Sequence, residues 1–274
     1  MFVHRLIRFV LLVALFGLVL PLAAQDDDTE MMRVEHEDIM FEYPASLALG
    51  TEIIEEEAVP LGEGDSGIPY WAATPAYTEI FFAEYAAGTD FFHEPRIVVY
   101  NTADFEAFDT GDYGITTQYE ALQTLLENQP DLESFTAPST LSDEALPFLP
   151  LFNAAQVFRA QPEFIEFQDG IGVRYLTYFS QAVNPIVDTE IFYTFQGLSN
   201  DGETYVAAIL PVRTGLFPTE IDFESFDFET FADDYLTYLD ETQIALTEQA
   251  AEDFDPMLTT LDEMIASIDT TLEE

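Results

Sequence analysis

Apolar positions recur at strand-like spacing through most of this chain and at helical spacing near its end. Ile39-Met40-Phe41-Glu42-Tyr43-Pro44 reads as a first strand stopped by proline. Thr51–Val59 reads as a second strand with acids on at least one side, Thr78–Tyr85 as an aromatic strand, and Arg96–Tyr100 as a short β-branched one. Between them Gly62–Pro75 holds three glycines and two prolines, which marks a loop. Thr117-Gln118-Tyr119-Glu120 has the form of a capping box, after which Tyr119, Leu122 and Leu126 share one helical face as far as Pro130. Prolines 130, 138, 147 and 150 make 129–150 a candidate seam between two halves.

Two hairpins follow. Phe164–Phe167 and Val173–Phe179 flank Asp169-Gly170, and Ile191–Phe195 and Thr204–Leu210 flank Asn200-Asp201-Gly202. Asp-Gly pairs accept the positive φ that tight hairpin turns demand, so these runs predict a four-stranded antiparallel meander. Phe231, Tyr235, Tyr238, Leu239 and Leu246 then keep helical spacing. Asp255-Pro256 is an N-cap followed by proline at the first helical position, and Leu258, Leu261, Ile265 and Ile268 line one face of a last helix. On this pattern Asp262 and Glu263 face solvent or the helix flank. The predicted class is α+β: a mostly antiparallel sheet packed against helices, including a C-terminal helical pair.

The N-terminus changes the address. Arg5 and Arg8 precede the apolar run Phe9–Leu20, and Pro21-Leu22-Ala23-Ala24-Gln25 closes it with small residues. This is the form of a secretory signal peptide over 1–24, cut after Ala24, with an uncleaved anchor as the alternative. Residues 25–38 read as a solvated acidic leader, leaving 39–274 as a single α+β domain and no stable membrane span after cleavage.

Charge then narrows the partners. The chain carries 53 acids against 7 Lys and Arg, a net charge of −46, and removing 1–24 takes two arginines and no acid. Nucleic acid and anionic lipid headgroups are excluded as partners, since nothing here would neutralise phosphates. Like charges 8–10 Å apart in water repel by about 0.5 kcal/mol, and dozens of such pairs rival a folding free energy of roughly 5–15 kcal/mol. The native medium is therefore expected to supply salt, cations or low pH, with loose cation binding at the surface. Cysteine is absent, which removes disulfides, thiolate chemistry and a lipidated N-terminal cysteine.

Several pieces carry a resemblance. Ile39–Pro44 near the mature start, the paired segments Phe192-Tyr193-Thr194-Phe195-Gln196-Gly197 and Asp201-Gly202-Glu203-Thr204-Tyr205-Val206, and the closing Leu261-Asp262-Glu263-Met264-Ile265-Ala266-Ser267-Ile268 resemble the PsbP-like family of secreted and lumenal α/β/α sandwiches. Tyr193–Pro211 also resembles envelope proteins of filamentous environmental bacteria. The matched pieces are turns and core positions. The acid-rich stretch Thr214–Asp234 and the proline-rich middle depart from a compact member. The resemblance implies a sandwich fold and a non-catalytic accessory or binding role.

Candidate chemistry is sparse. Gly64-Asp65-Ser66-Gly67 spells a serine-protease nucleophile motif, but the last histidine is His93 and no base is in the expected place. Carboxylate pairs for a glycoside hydrolase occur throughout so acidic a chain and single out no residues. For metals, Glu35-His36-Glu37-Asp38 and His93-Glu94 put imidazoles beside carboxylates, and Asp104, Glu106, Asp109 and Asp112 surround Gly111 without fitting an EF-hand register. His36, Asp104, Asp109 and Asp112 are the candidate metal ligands, with Ca2+ the candidate ion. Tyr70 and the lone Trp71 are the candidate ligand-binding pair, stacking on a sugar or peptide or anchoring a loop to the core edge. Phe81, Phe82, Phe91 and Phe92 are candidates to complete an apolar pocket with Trp71. Asp222-Phe223-Glu224-Ser225-Phe226-Asp227-Phe228 reads as an edge strand or covering loop, or as a docking segment for a basic partner. Two functions remain: a secreted or cell-envelope non-catalytic accessory or binding protein, and a secreted hydrolase using carboxylates or a metal.

Overall fold

In the computed structural model, residues 30–37, 39–61, 68–108, 114–136, 145–222 and 224–271 are described. The first strand begins earlier than the hydrophobic pattern alone indicates. β1 (Met31–His36) pairs antiparallel with β2 (Ile39–Pro44), placing Val34 opposite Phe41 and His36 opposite Ile39. The acidic leader expected over 25–38 is thus corrected to a strand over 31–36. Its charged residues occupy outward positions, where they cost the ladder nothing, and Val34 alone is buried. Residues 1–29, which include the expected signal peptide, and Asp38 lie outside the described residues.

Seven further strands form one antiparallel sheet: β3 (Gly50–Glu56), β4 (Tyr77–Ala83), β5 (Arg96–Asn101), β6 (Ala155–Phe167), β7 (Gly170–Ser180), β8 (Phe192–Ser199) and β9 (Thr204–Pro211). Their order is β3-β4-β5-β9-β8-β7-β6. The expected meander is β6–β9, and the β5–β9 ladder joins it to β3–β5. The sheet is therefore continuous across the candidate seam at 129–150. Residues 145–150 lie pressed against it. Gln156 exchanges hydrogen bonds with the Leu146 backbone, Tyr175 Oη donates to Pro147 O at 2.8 Å, and Gln196 bonds both Leu149 N and Leu149 O. These buried polar side chains satisfy a strap of irregular backbone that would otherwise be costly to bury.

Both faces of the sheet are covered, so β8 and β9 are buried almost throughout. One face packs Ile80, Ile97, Phe195, Val206 and Leu210 against β2, α3 (Tyr235–Glu248) and α4 (Leu258–Ala266). The other packs Val98, Tyr100, Val173, Tyr205 and Ala207 against α1 (Ile115–Asn128) and the 3-10 turn Thr102–Phe108. The fold is mixed α and β around a large antiparallel sheet. No described helix is long and apolar enough to cross a membrane.

Local details depart from the sequence pattern where tertiary contacts override it. Helix α1 starts at Ile115 with Gly114 as N-cap, so Thr117 lies inside the helix and no capping box forms. Gly202 takes the expected positive φ of 76°, whereas Gly170 is already the first residue of β7 and the turn falls on Gln168-Asp169. Met257, not Asp255, caps α4; Asp255 instead bridges to Arg213. The Asp222–Phe228 run is neither strand nor edge. It leads into α2 (Phe228–Asp233), with Asp227 Oδ1 accepting from Thr230 N at 3.1 Å as an N-cap, and Phe223 is outside the described residues.

Candidate functional site

The β1–β2 hairpin carries His36 to its tip, and the turn that follows holds Glu37 at a φ of 44°. The tip meets β3, where Glu55 stands opposite Thr78 of β4. His36 Nε2 lies 2.7 Å from Glu55 Oε1, and the Thr78 hydroxyl donates to both Glu55 oxygens at 3.2 and 3.1 Å. One ligand atom from each of His36, Glu37 and Glu55 falls within 4.8 Å of the others. These are two hard oxygen donors and one borderline nitrogen, held at the ends of two paired strand systems.

The three residues line one end of an open groove of about 470 Å³. Its remaining walls come from Tyr77, Tyr100 and Asn101, from Asp104, and from Asp201, Glu203 and Thr204 at the β8–β9 turn. Asp201 accepts from the Ser199 hydroxyl at 2.6 Å and from Glu203 N at 2.9 Å. These hydrogen bonds, Ser199 first, hold its carboxyl below the usual range. The groove lining thus combines five carboxylates, Glu37, Glu55, Asp104, Asp201 and Glu203, with the His36 imidazole.

The expected ligands divide. His36 and Asp104 share this groove; Asp109, Asp112 and the Gly64–Gly67 motif lie outside the described residues. His93 belongs to a different environment. Its ring stacks on Phe152 with centroids 5.1 Å apart and meets the edges of Phe92 and Phe192. Burial, and then the Arg96 charge, push its imidazole down to about 4, and its ring contacts make it a member of an aromatic cluster. Glu55 is the candidate ligand that sequence reasoning missed. It sits in an undistinguished Glu55-Glu56-Glu57 run, and only strand packing brings it to His36.

Trp71 is half-buried in the short turn Tyr70–Ala72; the Tyr70 side chain lies outside what is described. Trp71 lines a second cleft, of about 260 Å³, with Tyr77, Arg96, Tyr100, Leu151 and Phe152. Phe81, Phe82, Phe91 and Phe92 do not line it; Phe82 is core, Phe92 is 74% exposed, and Phe91 stacks under the Arg213 guanidinium.

Carboxyls raised by burial occur at three separate places. Glu79 sits beside Arg96, Glu190 near Tyr178, and Asp262 near Arg174 and Tyr193. Asp262, expected toward solvent or the helix flank, accepts from Tyr193 Oη at 2.9 Å and lies 3.4 Å from Arg174 Nε. Each raised acid has its own structural partner. They do not converge on the groove, nor on one another as an acid–base pair would.

No family model, curated protein or solved structure matches the chain.

Proposed function

We propose that this is an exported, non-catalytic binding protein whose ligand is a divalent transition-metal ion taken up by His36, Glu37 and Glu55. The observation that carries the reading is the convergence of an imidazole and two carboxylates within 4.8 Å at one end of an acidic groove. Imidazole with carboxylate suits Zn2+ or Mn2+ better than Ca2+, which prefers an all-oxygen shell. The Ca2+ expectation accordingly becomes a proposal for Zn2+ or Mn2+ at this site, with Ca2+ held loosely along Asp104, Asp201 and Glu203. The groove's negative charge would raise the local concentration of any divalent ion. The dispersal of raised carboxyls into separate structural contacts favours binding over carboxylate hydrolysis.

The Arg5-Arg8 start, apolar core and Ala23-Ala24 exit support export, and a sheet sandwiched between two covered faces is compatible with the PsbP-like resemblance. Isothermal titration of the mature chain with Zn2+, Mn2+ and Ca2+ tests the ligand. One saturable Zn2+ or Mn2+ site is expected. His36→Ala and Glu55→Gln should each weaken it by about 10–100-fold, since each removes a donor or its partner. Affinity unchanged in both variants defeats the reading. Mass measurement of the secreted chain should find Gln25 at its N-terminus.

A further inference from the structure

We propose that the cleft beside Trp71 is a carbohydrate site that seats one neutral sugar unit. Four aromatic residues line it, Trp71, Tyr77, Tyr100 and Phe152, with the Tyr77 and Tyr100 rings 5.3 Å apart. Flat ring faces offer the weakly negative surface on which the C–H face of a pyranose packs. The cleft also contains Arg96, largely buried and paired with the buried Glu79 at 3.1 Å. That pair uses Nε, which is itself enclosed; the two terminal nitrogens are not enclosed and carry no hydrogen bond among the described residues, so the guanidinium keeps donor capacity there.

The polar group selects the ligand class. Glu79 cancels the Arg96 charge, so a carboxylate or phosphate gains no net attraction there and would approach a molecule of net charge −46. A purely apolar ligand would cut the guanidinium off from water without replacing its partners. A neutral sugar satisfies both surfaces, with carbon-bound hydrogens on the rings and hydroxyls on the fork. A cleft of about 260 Å³ is small, which limits the contact to one unit of a longer chain that runs on into solvent. Trp71 is half-buried on a three-residue turn, where a core anchor would be fully covered.

The chain has one tryptophan, so its emission reads this site directly. The mature protein, held in EDTA so that the His36 site plays no part, is titrated with cellohexaose, maltohexaose, laminarihexaose and xylohexaose, and with oligogalacturonate as the anionic comparison. The expected result is a saturable change in Trp71 emission with at least one of them, and a matching affinity by calorimetry. Trp71→Ala, which removes a wall, and Ala72→Phe, which fills the space, should each weaken the calorimetric binding at least about tenfold. The two variants act by opposite means, so misfolding of one leaves the other decisive. Silence toward all four sugars, binding untouched by the folded variants, or a response confined to oligogalacturonate would overturn the proposal.

Discussion

Single residues decide this protein's response to acid. The His93 imidazole is enclosed by Phe92, Phe152 and Phe192 and held down to about 4, against an ordinary value near 6.5. Between those pH values the unfolded chain binds a proton that the folded chain refuses, so stability falls as pH drops through that window. The buried carboxyls of Glu79, Glu190 and Asp262 act with the opposite sign, because burial lifts them and the folded chain then binds protons more readily. His93→Phe removes the first effect and keeps an aromatic ring in the cluster. Urea unfolding at about pH 7 and about pH 4.5 should show a loss on acidification smaller than wild type by on the order of 2 kcal/mol. Parallel losses in the two proteins would refute this assignment. His36 was visible in the sequence as a candidate; Glu55 was not, because it lies 19 positions on, with a whole strand between it and its partner.

At the scale of elements, close approach of β7 and β8 is a requirement written in glycine. Gly172 stands opposite Gly197, and a Cβ at Gly172 would lie 2.4 Å from the Phe195 ring and 2.5 Å from the Gln196 carbonyl oxygen. The ring has little room to turn in a core, and the backbone oxygen cannot retreat without breaking the ladder. Gly172→Ala should therefore cost about 2–3 kcal/mol, as overpacking does. Gly50, with nothing within 4 Å of the added carbon, is the control, and Gly50→Ala should stay close to wild type. Melting followed by circular dichroism distinguishes the two. The β6 edge of the sheet is closed by a side chain. Gln243 of α3 bonds the backbone N and O of Arg159 in β6, taking the place a further strand would hold. The β6–β7 and β8–β9 hairpins were legible as alternation around Asp-Gly turns. The glutamine caps were not, because nothing local marks which helix residue will face a strand edge.

For the whole molecule, electrostatics follows from where the few cations go. Arg33 pairs with Glu35 and Glu42, Arg96 with Glu79, Arg174 with Glu163 and Asp262, and Arg213 with Asp90. Arg159 is buried, with its Nε donating to Phe135 O at 2.9 Å. No lysine supplements them, so the acidic surface is left to the solvent to neutralise. Adding NaCl should raise the melting temperature, by about 2–4 °C for each kcal/mol of repulsion relieved. At matched ionic strength CaCl2 should raise it further, since divalent ions condense more strongly on a carboxylate surface. A melting temperature indifferent to NaCl would remove self-repulsion from the description.

What the sequence determined by itself is whatever depends on near neighbours and on totals: the meander, the last helix face, the net charge, the absence of thiol chemistry. A two-residue period or a turn needs only adjacent side chains, so it can be read along the chain. Which strands join across 129–150, that residues 31–36 pair rather than dangle, and that His36 meets Glu37 and Glu55 were decided only in three dimensions. Those contacts close long loops whose entropy is repaid by the whole core at once, and no local pattern records that sum.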